Sequence, residues 1–264
     1  HTPPPPSLSG LVGSEMCIRD RGTTASNTDG SITSTVQANT KAGFSIALYS
    51  GNGSNGTIGH GLGKIPQWII VKARDNSSGS WIVYHHKMGT NPEDLRMFLD
   101  STSASGTSTA NFNSTAPTST VFSLGAGNTT NGSSRTFLAY CFTSIKGYSK
   151  FGIYTGNGNA DGQFIYTGFK PAFLMIKEYG ASGESWIMLD TGRSAGNVTD
   201  EILFANANQQ EEANQTSKGI DFLSNGFKIR TSNAHPNNSG GTLIYMAFAE
   251  APLVGSNNVP CTAR

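Results

Sequence analysis

Short apolar runs separated by clusters of Gly, Asn, Ser and Thr fill the chain from Gly43 to about Pro252. In the first part they are Phe44 to Tyr49, Gln67 to Ala73, Ser80 to His85, Met97 to Leu99, Val121 to Leu124 and Thr136 to Thr143. In the second they are Phe151 to Tyr154, Gln163 to Tyr166, Phe173 to Lys177, Trp186 to Leu189, Ile202 to Phe204, Phe227 to Arg230 and Leu243 to Phe248. Runs of this length, bounded by turn formers, predict about seven strands per hundred residues, the pattern of a β-sandwich. Ser50 to Gly56 and Arg74 to Gly79 have the Gly and Asn content of turns. Asn91-Pro-Glu-Asp is a helix start good for a turn or two. Residues 101 to 119 and 205 to 218 read as long polar loops. Phe137 to Phe142 and Leu243 to Phe248 are apolar at nearly every position, which predicts cover on both faces, from the sister copy or a neighbouring subunit.

The chain contains one stretch twice. Tyr49-Ser-Gly-Asn-Gly leads through Gly63 and Pro66 to Trp68-Ile-Ile-Val-Lys72 and Ser80-Trp-Ile-Val-Tyr84. At an offset of 105, Tyr154-Thr-Gly-Asn-Gly leads through Gly168 and Pro171 to Phe173-Leu-Met-Ile-Lys177 and Ser185-Trp-Ile-Met-Leu189. Between Tyr49 and Ile82, 11 of 34 positions are identical, where ordinary composition gives roughly two. The offset holds at Phe122 and Phe227 and slips to 106 at Phe142 and Phe248. A repeat this long is a domain rather than a solenoid unit. The predicted architecture is all-β, with two tandem homologous sandwich domains over 43–146 and 147–252.

Outside those units, residues 1–22 have no initiating Met and contain Ser14-Glu-Met-Cys-Ile-Arg-Asp-Arg21, which resembles translated sequencing adapter. They are expected to be non-native, with the true N-terminus missing. Residues 23–42 have almost no large apolar side chain and read as a polar linker or the end of an upstream extended region, and 253–264 as a loose tail. A net charge of +1 with 13% charged residues and no Lys/Arg cluster argues against nucleic-acid binding. No run is long enough for membrane insertion. Cys17, Cys141 and Cys261 form no disulfide framework, and Cys141, matched by Ala247, reads as a small core residue.

Paired positions carry little chemistry. His60 aligns with Ile165, His85 with Asp190, Asp75 with Gly180 and Glu184 with Gly79, so the shared residues are turn formers and core fillers. A site confined to one copy would involve Asp190 or His85-His86, but neighbours on a strand point to opposite faces and cannot share a metal. Asn157 to Gly162 resembles the start of a calcium loop whose twelfth position, Gly168, lacks the required Glu. Trp81 and Trp186 read as core anchors rather than sugar platforms, and Lys72 and Lys177 as solvated strand ends. No catalytic, cofactor-binding or metal residue is assigned, and no cofactor.

These motifs, together with Gly43-Phe-Ser-Ile, Gly59-His-Gly-Leu-Gly-Lys-Ile-Pro66, Thr115-Ala-Pro-Thr-Ser-Thr-Val-Phe122, Ala139-Tyr-Cys-Phe142, Gly147-Tyr-Ser-Lys-Phe-Gly152 and Phe222-Leu-Ser-Asn-Gly-Phe-Lys-Ile-Arg230, resemble a family of uncharacterised tailed-phage virion proteins common in marine phages. The resemblance implies a lectin- or LamG-like jelly-roll sandwich in a structural or fibre-like virion component, assembled in the host cytoplasm, with no catalytic residues. Expected partners are other virion proteins, further copies in a homo-oligomer, and a host surface glycan or protein reached through the two polar loops. The alternatives are a carbohydrate-active depolymerase on the same sandwich and a ligand-free decoration protein.

Overall fold

The computed structural model describes residues 23–249 apart from 77, 78 and 215. The adapter-like segment and the C-terminal tail lie outside the described residues. The fold is all-β, in antiparallel sheets. The first half contains β1 (Ala25–Asn27), β2 (Ser34–Asn39), β3 (Phe44–Ser50), β4 (Gly56–Gly59), β5 (Trp68–Ala73), β6 (Ile82–His85), β7 (Leu95–Phe98), β8 (Gly106–Thr107), β9 (Val121–Leu124) and β10 (Thr136–Phe142). The second contains β11 (Ser149–Thr155), β12 (Phe164–Tyr166), β13 (Pro171–Glu178), β14 (Ile187–Asp190), β15 (Leu203–Phe204), β16 (Ile220–Leu223), β17 (Gly226–Ile229) and β18 (Thr242–Ala249). Four-residue helical turns occur at α1 (Thr109–Phe112) and α2 (Asn128–Asn131), and the matching segment α3 (Ala234–Asn237) is a turn in which His235 and Pro236 are not helical.

The duplication is visible in strand order. The large sheet of the first half contains β3-β10-β5-β6-β7 and the sheet of the second is β11-β18-β13-β14-β15, the same order element for element. Each half adds a small sheet, β4-β9 in the first and β12-β17-β16 in the second. Alternation along β5 shows the layering. Ile69 and Val71 pack with Ile58, Phe122 and Leu124 of the small sheet, whereas Trp68 and Ile70 point the other way and join the core of the second half. There Phe142 meets Phe151 at 5.8 Å and Phe248 at 6.3 Å between ring centroids, and Trp68 meets Trp186 at 5.9 Å. The sister copy thus supplies cover for the second faces of β10 and β18.

Residues 23–42 are not a linker. β2 pairs along its whole length with β3, β1 pairs with β2, and Ile32, Ser34 and Val36 are buried. Their own apolar content is small, but the neighbouring strand supplies the backbone partners that an isolated segment of this composition lacks. The gap-free offset also fails locally. Ile58 pairs with Phe122 as Ile165 pairs with Phe227, so these positions correspond at an offset of 107. His60 then matches Thr167, each accepting a bond from the backbone N–H two residues on, Leu62 at 3.2 Å and Phe169 at 3.4 Å. Gly61, with φ +68°, stands where Gly168 does, with φ +90°. The identity of Gly63 and Gly168 is therefore coincidental.

The Tyr-x-Gly-Asn-Gly motif closes an interior latch in both halves. Tyr49 donates its hydroxyl to the Thr130 carbonyl at 2.6 Å, and Tyr154 to that of Pro236 at 2.8 Å. The next residues, Asn131 and Asn237, are fully buried. Asn131 accepts from the N–H of Asn52 at 3.1 Å and donates through Nδ2 to Asn52 Oδ1, the Ser54 carbonyl and the Gly125 carbonyl. Asn237 accepts from the N–H of Asn157 at 2.9 Å and donates to Asn157 Oδ1 and the carbonyls of Asn159 and Thr231. A buried amide with both ends satisfied specifies one geometry for the loops it joins.

Candidate functional site

The residues singled out in the sequence take part in packing and local hydrogen bonds where the structure describes them. His85 is fully buried, its ring edge-on to Trp68 at 5.1 Å, and its Nδ1 accepts from the Lys87 N–H at 3.2 Å. Its partner by sequence, Asp190, accepts from the Gly192 and Arg193 N–H groups at 2.9 and 3.0 Å and pairs with the Arg193 guanidinium at 2.6 Å. Imidazole and carboxylate thus do the same work, capping the turn after the strand through the N–H two residues on. His86 turns to the Phe151 carbonyl at 3.3 Å. Cys141 is buried and unpaired, with its thiol pushed far up by burial. Among the described residues no group of three or more His, Cys, Asp and Glu is placed to hold a metal ion, and no helix is long and apolar enough to cross a membrane.

The calcium-like loop is a chain of side-chain turns. Asn157 Oδ1 accepts from the Asn159 N–H, Asn159 Oδ1 from the Asp161 N–H, and Asp161 pairs with Lys228 at 2.8 Å. Trp186 is fully buried and Trp81 half-buried under the Lys72 ammonium, which lies 5.7 Å from its ring centre. Lys177, expected at a solvated edge, is instead fully buried at the junction of the halves. Burial pulls its ammonium down to about 8, against the opposing pull of Glu184 and Glu178, and Nζ donates to the Thr102 carbonyl at 3.4 Å. Glu184 also meets His235 Nδ1 at 3.2 Å.

Neither polar loop is wholly free. In the first, the Ser105 N–H donates to the Tyr179 carbonyl at 2.7 Å and the Ala104 N–H to Ser182 Oγ at 3.0 Å, so this stretch clasps the second half. Phe112 of the same loop is buried against Tyr84. The second is braced by Lys218–Glu212 at 2.8 Å and Arg193–Glu211 at 3.3 Å.

All four described histidines, His60, His85, His86 and His235, are held below their ordinary value, in each case chiefly by desolvation. A depressed histidine takes up its proton in the unfolded chain first, so stability is full above pH 7 and falls as pH drops below about 6.5, by up to about 1.4 kcal/mol per pH unit for each histidine. Urea midpoints measured from pH 7.5 down to 5 should show this decline before the carboxylates titrate. His85→Asn, which keeps an acceptor for Lys87, should make it shallower; a flat profile over that window would contradict the assignment.

The outer face of β12-β17-β16 differs from the rest of the surface in a way that hydrophobic periodicity does not mark. Phe164 and Tyr166, two residues apart on β12, are 43% and 59% exposed, while Ile165 between them is buried. Register sets Phe164 opposite Lys228 and Tyr166 opposite Gly226. In the first half the same places hold Thr57 opposite Ser123 and Gly59 opposite Val121. The telltale would have been an aromatic pair at a spacing of two where the other copy has small residues.

No curated protein and no solved structure matches the chain. Residues 14–252 match the model of a domain of unknown function, DUF7483. With nearly all of its length inside that match, the chain belongs to the DUF7483 family.

Proposed function

We propose that the chain is a non-enzymatic structural and recognition module of a tailed-phage virion, in a tail fibre or similar appendage, with a lectin-like jelly-roll sandwich in each half. It works as a homo-oligomer beside other virion proteins, assembled in the host cytoplasm, and contacts a host surface. The observation that carries this reading is the contrast between a duplicated, mutually buried interior and an outer face where only one copy presents exposed aromatic rings. Such a module keeps its scaffold and varies its contact surface, and many weak contacts on an oligomeric fibre add to firm attachment.

The depolymerase alternative needs a carboxylic acid that keeps its proton near neutral pH. On this face Asp161 is held below the usual carboxylate range by Lys228, and Asp221 is paired with Arg230 at 3.4 Å, an arrangement suited to binding. Sequencing of the genomic neighbourhood should place the gene among tail or head genes. A neighbourhood of polysaccharide-degradation genes would overturn the proposal.

A further inference from the structure

Phe164 does not simply fill space on β12. A Cβ placed on Gly226 would come within 2.7 and 2.8 Å of two of its ring atoms, so the tip of the ring reaches over that glycine while 43% of the residue stays exposed. Shielding of a glycine by an aromatic neighbour accounts for that much. It does not account for Tyr166, which is more exposed still and is held from the side by Lys150, whose Nζ donates to the Tyr166 carbonyl at 2.6 Å and lies 5.2 Å from the ring centre. Twice the rise of a strand puts the Cα atoms that carry the two rings about 7 Å apart, a spacing on the scale of neighbouring sugar rings of an oligosaccharide.

Two of the three cations beside the rings are engaged by carboxylates, and the third, Lys150, donates to the Tyr166 carbonyl. Lys228 is bonded to Asp161 at 2.8 Å and to the Gly162 carbonyl at 2.7 Å, and Arg230 is paired with Asp221 at 3.4 Å. A polyanion or acidic membrane would call for a cluster of cations free of carboxylates, and on this face Lys150 stands alone in that respect. A protein partner of ordinary size needs a patch of roughly 800 Å², and the exposed large apolar side chains on the strands of this sheet are Phe164 and Tyr166, with Leu223 half-buried beside them. Fixed donors and fixed acceptors beside aromatic faces match a ligand whose hydroxyls both donate and accept and whose C–H faces are apolar.

We infer that the outer face of β12-β17-β16 binds a neutral carbohydrate, stacking sugar rings on Phe164 and Tyr166 and hydrogen-bonding their hydroxyls to the Lys228–Asp161 and Arg230–Asp221 pairs. The inference rests on the reading of the chain as a recognition module and names its ligand class. The first half, with Thr57 and Gly59 in the corresponding places, has no such platform.

The test uses the intact protein, displayed multivalently on a printed panel of neutral gluco-, galacto-, manno- and N-acetylhexosamine oligosaccharides beside sialylated and sulfated ones. Calorimetric titration with the best neutral oligosaccharide follows. Neutral sugars should bind, Phe164→Ala and Tyr166→Ala should each weaken binding by about tenfold or more, and the double variant should abolish it. Tyr166→Ala should leave thermal unfolding nearly unchanged and Phe164→Ala, which uncovers Gly226, should lower the midpoint modestly while the transition stays cooperative, which separates lost binding from lost fold. Binding confined to acidic glycans, binding to none, or neutral binding that survives the double substitution would overturn the inference. Viral gene neighbours with a silent platform would leave the appendage reading standing and remove this one. Sugar binding in a non-viral gene cluster would do the reverse.

Discussion

Trp186→Ala should lower the unfolding free energy by about 3–5 kcal/mol, while Trp81→Ala, at the matching position of the other copy, should cost about half of that or less. The two tryptophans follow the same residue, Ser, and precede the same residue, Ile. Their surroundings differ. Trp186 is fully buried, packs on Trp68 at 5.9 Å, and donates Nε1–H to the Phe98 carbonyl of the first half at 2.9 Å. Truncation would open a cavity between the halves and leave that carbonyl without its donor, adding about 1–3 kcal/mol to the transfer loss. Trp81 is half-buried beneath Lys72, so water can replace part of what is removed. Equilibrium urea unfolding of the two variants checks this. Equal losses would mean that the junction of the halves is not the core described above.

Removal of either latch asparagine should be comparably severe. Asn131→Ala strands three acceptors, Asn52 Oδ1 and the carbonyls of Ser54 and Gly125, together with the N–H of Asn52. Asn237→Ala strands the matching set around Asn157. One buried acceptor in each latch, the carbonyl of Gly125 or of Thr231, is left unpaired at about one to three kcal/mol, while the remaining groups lie on exposed residues that water can reach, so the expected loss is about 2–4 kcal/mol for each variant. Asn131→Asp should be no milder, because a carboxylate has no N–H to give the three oxygens. The twin variants should agree within about 1 kcal/mol, since the two latches have the same donors and acceptors. Denaturant midpoints measured side by side decide the matter, and a near-neutral Asn237→Ala would show that the second latch is not formed.

Much of the sheet framework was legible because alternation of apolar and polar residues reports which face of a strand is covered. β3, β5, β6, β10, β13 and β18 follow directly from it, and so does the need for a second layer over β10 and β18. Elements that depend on a neighbour were not legible. β1 and β2 are made of Thr, Ser, Asn and Ala and become strands because β3 offers them a free edge. The four-residue helical turns are too short to show a period. Asn131 and Asn237 escaped notice because one residue more in the second copy moves them to an offset of 106, and because an asparagine among Asn, Gly and Ser reads as a turn. The burial of Lys177 was hidden for the same reason as the contrast between the tryptophans: identical local sequence meets the sister copy on one side and solvent on the other.

The outer platform was hidden differently. Phe164-Ile-Tyr166 reads as an ordinary apolar strand, and only the position of β12 at the edge of an outer sheet shows that the two rings are on the wet side. Exposure of this kind is a property of layer order, which hydrophobic periodicity does not encode.

The central claim is that one sheet sandwich was doubled and that its two copies share an interior and unfold together. Hydrogen exchange under conditions of global unfolding, compared between the unaltered protein and Asn131→Ala, tests it most directly through the amides of β10 and β18. If the claim holds, a lesion in the first half speeds exchange in Ala139–Phe142 and in Ile244–Phe248 by the same factor. Faster exchange in the first strand with none in the second would show two independent domains and contradict it.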